Sequence, residues 1–399
     1  MARATERRMS RFWLGLAVAA MIAGCGGRSL QEAPSPDAGV SGVSSGIAGT
    51  AGATSGIAGA SSGTADCVCQ VGDACDAAVC SCAQVVCDGV CVDTQSDNAN
   101  CGACGATCSV GCQAGRCVEV LASGLDDPKA LAAGRTDLFW TTGLGLMQVA
   151  KAGGSPSVFV ATSEGVASAI AVDDTYVYWS GSYDSKLMRA AIAAPTSELL
   201  ADGQDDISAI VLDASAIYWD NWQTGTIMML PKSGGAPRAL TASAHRPTAL
   251  AVDATHIYWT EDVSDAQGAV LSMPLVGGTP TTLASGQDGP RGMAINSTYV
   301  YWTATFDQTL SRVPLGGGAV ELISPAGVYP EHVVLDDQFA YWVGNNGVEK
   351  VRLQGGTLAA EPGTEFVTDV AVDDTSVYFV QSGAGATPTS GSLVKVTPK

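Results

Sequence analysis

The chain has 399 residues, with 20 Lys or Arg against 39 Asp or Glu, a formal net charge of −19. A polyanion of this kind is repelled by nucleic acid and by anionic lipid, so neither is an expected partner. Abundant Gly and Ala, with only 15% charged residues, still allow a large core, and the length suits one big domain plus small N-terminal pieces.

The N-terminal segment reads as an export signal. Arg3, Arg7, Arg8 and Arg11 precede an apolar run from Phe12 to Ile22, too short to span a bilayer comfortably, and small residues lead into Cys25. Ile22-Ala23-Gly24-Cys25 resembles a bacterial lipobox. The resemblance implies cleavage after residue 24 and lipidation of the Cys25 thiol, an anchor that leaves the polypeptide itself soluble. An ordinary secretory signal is the competing reading. Gly26 after the cysteine resembles lipoproteins sorted to an outer membrane, so the expected location is the outer membrane or cell surface of an exporting bacterium. Loss of residues 1–24 removes four Arg and one Glu, leaving 16 basic and 38 acidic residues and a net charge of −22.

Residues 25–66 hold the cysteine and a linker in which Gly, Ser, Ala and Thr dominate, with no period and no aromatic residue. This composition reads as a flexible tether. Residues 67–117 then carry twelve of the thirteen cysteines: Cys67, Cys69, Cys75, Cys80, Cys82, Cys87, Cys91, Cys101, Cys104, Cys108, Cys112 and Cys117. An even number packed densely behind an export signal predicts a small disulfide-rich module with up to six bridges. The "CGAC" at Cys101–Cys104 offers a metal-binding alternative, but zinc sites usually pair two such knuckles, and the segment has no histidine. The stretch from Cys87 to Cys117, with its "CVD…D…NCGACG" core, resembles the Stig1-type cysteine-rich module of secreted proteins. That resemblance implies an extracellular interaction or spacer role and no activity.

From residue 118 onward the chain is a tandem array. "DLFWTTG", "YVYWSGS", "AIYWDNW", "HIYWTED", "YVYWTAT", "FAYWVGN" and "SVYFVQS" echo one another, with the second aromatic at positions 140, 179, 219, 259, 302, 342 and 379. Spacings of 39, 40, 40, 43, 40 and 37 residues, with several short strand-like runs per unit and no helical stripe, predict propeller blades. One unit shows the pattern: "PTALAVD" is an apolar inner strand, "HIYWT" the second, "AVLSMPL" the third and "TTLAS" the outer one. Glycine pairs such as "VGGTP" mark hairpins rather than phosphate-binding loops, because no strand–glycine–helix context surrounds them.

The last unit shows only three strand phrases, whereas the first is preceded by an orphan, "VEVLASGLDDP", that matches the outer-strand phrases "TTLASGQDGP" and "SELLADGQDD". The orphan near Val118 is therefore expected to pair beside Val394 and close the ring. The fold class is all-β: a seven-bladed β-propeller of four-stranded blades over residues 118–399, closed by an N-terminal strand clasp. Residues 118–399 resemble the YWTD/NHL-type propellers, with "YWTE" at Tyr258–Glu261 the nearest match, and they depart from six-bladed receptor propellers in repeat number. Because successive strand residues face opposite ways, each aromatic pair places one ring on each blade face, where it can fill an inter-blade gap. The pair is scaffold, and function is sought in the loops that vary.

The loops leading into inner strands, and those joining second to third strands, bring together Lys129, Tyr183, Asp184, Trp222, Arg246, Asp262, Arg291, Phe306, Tyr329 and Glu331. A ring mouth with acids, a few bases and exposed aromatics suits a protein, peptide or glycan ligand. The alternative is a propeller lyase, lactonase or hydrolase, of which the streptogramin lyases are one family. It would use His245 and His332, read as equivalent loop positions of units four and six, with Glu331 and a possible bound metal. His256 falls on a strand and reads as a packing residue. No cofactor is expected. Asp262 and Asp265 could hold Ca²⁺ or another divalent metal, although the twelve-residue EF-hand loop is absent. The membrane is a partner through the lipid anchor only.

Overall fold

In a computed structural model of the chain, the described residues are 85–399 with the exception of 89, 144, 162–168, 182–185, 243, 264–266, 328, 365 and 384–389, together with the backbone of 68–69 and 81–82. The chain divides into two units, Met1–Gly63 and Thr64–Lys399, and the fold is that of the second. The export signal, Cys25, the tether, Cys67, Cys75, Cys80, the side chains of Cys69 and Cys82, and the loop residues Tyr183, Asp184 and Asp265 lie outside the described residues. No helix among the described residues is long and apolar enough to cross a membrane.

Seven antiparallel sheets follow one another along the chain, over residues 131–161, 170–201, 210–241, 247–287, 290–325, 333–360 and 367–397, here blades 1 to 7. Within blades 1 to 6 the four strands lie in space in the order in which they occur in sequence. Blade 7 supplies three strands of its own, and the strand Arg116–Leu125 adds the outer one. Val394 pairs with Val120 and Val396 with Val118, so the ring closes where the orphan phrase predicted. Blade 7 also exceeds the expected four strands. Ala114 and Gly115 both adopt positive φ, 49° and 72°, a tight reversal that folds Cys112–Gln113 back on Arg116–Cys117 as a fifth strand.

The aromatic pairs make the joints between blades. Seven buried clusters unite the first ring of one blade with the second ring of the next: Phe139 with Trp179, Tyr178 with Trp219, Tyr218 with Trp259, Tyr258 with Trp302, Tyr301 with Trp342, Tyr341 with Phe379, and Tyr378 with Trp140. The last of these couples blade 7 to blade 1. Every one of these rings is at most 3% exposed. Hiding a large ring contributes about 1.5–3 kcal/mol, and no blade can supply that burial alone.

A buried phenol needs a hydrogen-bond partner, and the turn between first and second strands provides it five residues upstream. Tyr178, Tyr218, Tyr258, Tyr341 and Tyr378 donate to Asp173, Asp213, Asp253, Asp336 and Asp373 at 3.0, 2.7, 2.8, 2.9 and 2.9 Å, and Asn296 takes the place opposite Tyr301. The other oxygen of each Asp caps the turn; Asp253 Oδ1 accepts N–H from Thr255 and His256, both at 2.7 Å. Burial raises these carboxyls, but the hydrogen bonds outweigh it and hold them below the usual range. The phenols move the other way, pushed up by burial and by the adjacent carboxylate. Blade 1 lacks both partners, with Phe139 in the tyrosine position and Gly134 in the aspartate position. Cations reach some of these carboxylates across a joint: Lys232 Nζ lies 2.9 Å from Asp173 Oδ2, and Lys151 Nζ donates to Asp373 Oδ2 at 2.9 Å.

The cysteine segment is cross-linked Cys87–Cys104, Cys101–Cys112 and Cys108–Cys117, and Cys91 is disulfide-bonded as well. The "CGAC" cysteines thus belong to two different bridges and offer no thiolate to a metal. At the start of the closing strand, Arg116 pairs with Glu361 and its Nε donates to the Pro398 carbonyl at 2.7 Å.

Candidate functional site

The inner strands ring a cavity of about 390 Å³. Each strand enters in the same register: Leu131, Ile170, Ile210, Leu250, Met293, Val333 and Val370 pair with the seven second aromatics. The residue just before each of these lines the cavity, and it is Ala130, Ala169, Ala209, Ala249, Gly292, His332 and Asp369. Ser208, Thr248, Arg291 and Glu331, one residue further back, also line it. Blades 1 to 4 therefore present a wall of alanines with two hydroxyls, and blades 5 to 7 present Arg291, Glu331, His332 and Asp369.

His332 Nδ1 stands 3.5 Å from Asp369 Oδ1, with the imidazole side chain 55% exposed and the carboxylate 11%. Asp369 also accepts N–H bonds from Leu131 at 2.7 Å and from Val370 at 2.8 Å. Burial pushes the Asp369 carboxyl up, and His332 and the two backbone donors oppose that shift. The backbone under His332 is fixed. Thr303 Oγ1 donates to the Glu331 carbonyl at 2.6 Å, and Val343 N–H to the His332 carbonyl at 3.0 Å. Gly292 permits this approach, since a Cβ there would meet the Glu331 carbonyl oxygen at 2.1 Å.

In blades 1, 2, 3 and 5 the side chain of the residue after the second aromatic caps the neighbouring inner strand. Thr141, Ser180 and Thr303 accept N–H bonds from Ala130, Ala169 and Gly292 at 3.1, 3.1 and 2.9 Å. In blade 3 the cap is Asp220, fully enclosed, which accepts N–H from Ser208 at 3.0 Å and Ala209 at 2.7 Å and the Ser208 hydroxyl as well. Burial pushes its carboxyl up to about 6 against those bonds.

Four positions before each register residue the backbone turns left-handed. Asp127, Asp206, Arg246, Gly289, Tyr329 and Phe366 have φ of 43°, 48°, 52°, 66°, 54° and 53°; the blade 2 counterpart lies outside the described residues. Such a φ is uncommon for Arg, Tyr or Phe and persists where surrounding structure enforces it. The carbonyls of Asp206, Arg246 and Phe366 each accept an N–H from the loop after the second strand, at Trp222, Asp262 and Ser382. The turn delivers its side chain outward: Tyr329 is 49% and Phe366 57% exposed.

The predicted site residues separate against this frame. Arg291, Glu331 and His332 line the cavity. Trp222 and Arg246 stack, guanidinium to ring, at 4.3 Å, and Arg291 Nη2 lies 3.4 Å from Asp262 Oδ2. Phe306 is exposed beside Gly289, where a Cβ would lie 2.6 Å from its ring. Lys129 pairs with Asp127 at 2.8 Å, both in water. His245 and His332 do not occupy equivalent places. His245 precedes its register residue by five positions, is 75% exposed and lies 3.4 Å from Glu261, outside the cavity lining. His256 holds its strand end, with Nδ1 2.8 Å from Thr255 Oγ1. Phe366, Asp369 and Asp220 are the site residues that loop reading missed; aligning units on the second aromatic shows Asp369 and His332 where other units have Ala or Gly.

Fold and site together define a seven-bladed β-propeller with an asymmetric central cavity. No family model and no curated protein sequence matches the chain. Among solved structures, virginiamycin B lyase from Staphylococcus aureus is similar at 11% identity and a TM-score of 0.59, covering 71% of this chain and 100% of that one. The computationally designed Ika8 protein aligns at 16% identity and a TM-score of 0.51, over 70% of this chain and 98% of its own. A chain of a nidogen/laminin complex aligns at 19% identity and 0.48, over 57% and 93%. At these identities the likeness is one of fold.

Proposed function

We propose that the protein is a recognition propeller, which binds a protein, peptide or glycan on the cavity-bearing face and is held at the cell envelope by lipidated Cys25 and the 26–66 tether. One observation carries the reading. Three exposed rings, Phe306, Tyr329 and Phe366, stand in loops of the successive blades 5, 6 and 7, the same blades whose Arg291, Glu331, His332 and Asp369 line the cavity. Exposed aromatics on the blades that carry a concave polar pocket are the composition of a binding site rather than of an inert surface. The full chain probed on glycan and peptide arrays is expected to select a ligand class, and Tyr329→Ala and Phe366→Ala to abolish that selection. Unchanged selection by both variants overturns the reading.

The His332–Asp369 pair favours a second reading, proton transfer to or from a bound ligand, since a half-exposed imidazole oriented by a buried carboxylate is a serviceable acid or base. Mass spectrometry of the bound ligand after long incubation tests it. Conversion lost in His332→Ala supports catalysis, and ligand recovered unchanged from the unaltered protein rejects it.

A further inference from the structure

We infer that the blade 5–7 sector takes the cationic side chain of a peptide, Lys or Arg, with Glu331 as its counter-charge and the rim aromatics as its walls. This rests on the recognition reading and narrows its ligand class. Most of the charges at the cavity already face a partner. Arg291 faces Asp262 at 3.4 Å. Asp369 is enclosed, bonded to two backbone N–H groups and faced by His332. Asp220 is sealed behind Ser208. Glu331 is exposed and lines the cavity, and its carboxylate has no hydrogen-bond or ion-pair partner among the described residues. A cation entering the mouth meets an unengaged carboxylate, whereas an anion meets a guanidinium already committed.

The rings give an independent argument. Elsewhere this chain covers its half-exposed aromatics with its own cations: Arg246 sits 4.3 Å from the Trp222 ring, Arg312 4.1 Å from Tyr299 and Lys350 5.0 Å from Phe339. Phe306, Tyr329 and Phe366 are exposed and carry no such cation among the described residues. A ring face carries negative potential and attracts ammonium or guanidinium groups, so these rings are faces without an occupant. The formal charge of −19 adds long-range attraction for a cation. Three exposed rings on three successive blades offer apolar contact beyond a single ammonium group, and this favours a basic side chain with apolar residues on either side over a free small cation.

The test uses the full chain and terminally blocked Leu-Xaa-Leu peptides, with Xaa being Lys, Arg, Gln or Glu, titrated by calorimetry at low and high salt. Lys and Arg peptides are expected to bind at least about tenfold more tightly than Gln, the loss of one charge-assisted contact, and to weaken with salt. Glu331→Gln is expected to erase that preference, and Phe366→Ala to weaken every peptide. Thermal melts of each variant check that the fold is kept, and Glu119→Gln on the closing strand controls for loss of a remote negative charge. Equal binding of Lys and Gln peptides, or a Lys preference that survives Glu331→Gln, overturns the cation assignment. If Phe366→Ala still weakens binding in that case, the recognition reading stands without it. Binding indifferent to both variants overturns both.

Discussion

The inter-blade joints and the cavity wall are drawn from the same repeat, yet they follow opposite rules. At the joints, each blade offers a ring to the next, and the exceptions leave that packing intact: Phe139 with Gly134 in blade 1, where a phenol and its carboxylate are absent together, and Asn296 in place of the aspartate opposite Tyr301 in blade 5. At the cavity, equivalent positions run from Ala130 through Gly292 to His332 and Asp369. A joint position is packed on both sides, so a change in volume is felt by two blades. A cavity position borders open space on one side, even where, as at Gly292, a neighbouring strand crowds the other. It can therefore diverge without opening the ring, and blades 5 to 7 have done so.

Substitutions can break this contrast. Trp259→Ala, at a joint where the ring is wholly buried, is expected to cost about 3–5 kcal/mol in urea unfolding. A loss below 1 kcal/mol there would mean the joints do not hold the ring. Asp220→Thr gives blade 3 the hydroxyl cap that blades 1, 2 and 5 use. The folded state holds the Asp220 proton up to about 6, while an unfolded carboxyl releases it near 4. Stability therefore falls as pH rises through about 4 to 6 and stays lower above that window. Asp220→Thr should remove this fall and gain up to about 3 kcal/mol at neutral pH. Denaturation at several pH values that shows the same slope in both proteins would contradict the placement of a buried carboxyl there.

The aspartate–tyrosine bond is a smaller matter. A double-mutant cycle of Tyr258→Phe with Asp253→Asn should return a coupling near 1 kcal/mol, and a coupling near zero would reduce the bond to decoration on a packed ring. Smallest of all, His332→Ala and Phe366→Ala should move stability by less than about 0.5 kcal/mol. Losses comparable to that of Trp259→Ala would erase the distinction between scaffold and site.

The joints and the closure were legible because they repeat. A 40-residue period, a ring pair on each second strand and an orphan phrase matching outer strands leave little choice of architecture. The site was legible only in part. Arg291, Glu331 and Tyr329 stood out as loop residues, but Phe366 and Asp369 look ordinary until strand pairing sets the register. His245 and His332 look equivalent in sequence because their loops differ in length, whereas they stand five and one residues before Leu250 and Val333. The left-handed turns were hidden as well: their usual signals are Gly, Asn and Asp, and here Arg246, Tyr329 and Phe366 occupy the position. Cysteine spacing foretold bridges but could not choose partners, since twelve cysteines allow many pairings.

Hydrogen–deuterium exchange of the full chain, with and without saturating Leu-Lys-Leu peptide, bears most directly on the division between uniform joints and a specialised sector. The account predicts slowed exchange at residues 289–293, 329–333 and 366–370, with the second strands of all seven blades unchanged. Protection confined to the outer strands or the cysteine segment, with those three stretches unaffected, would contradict it.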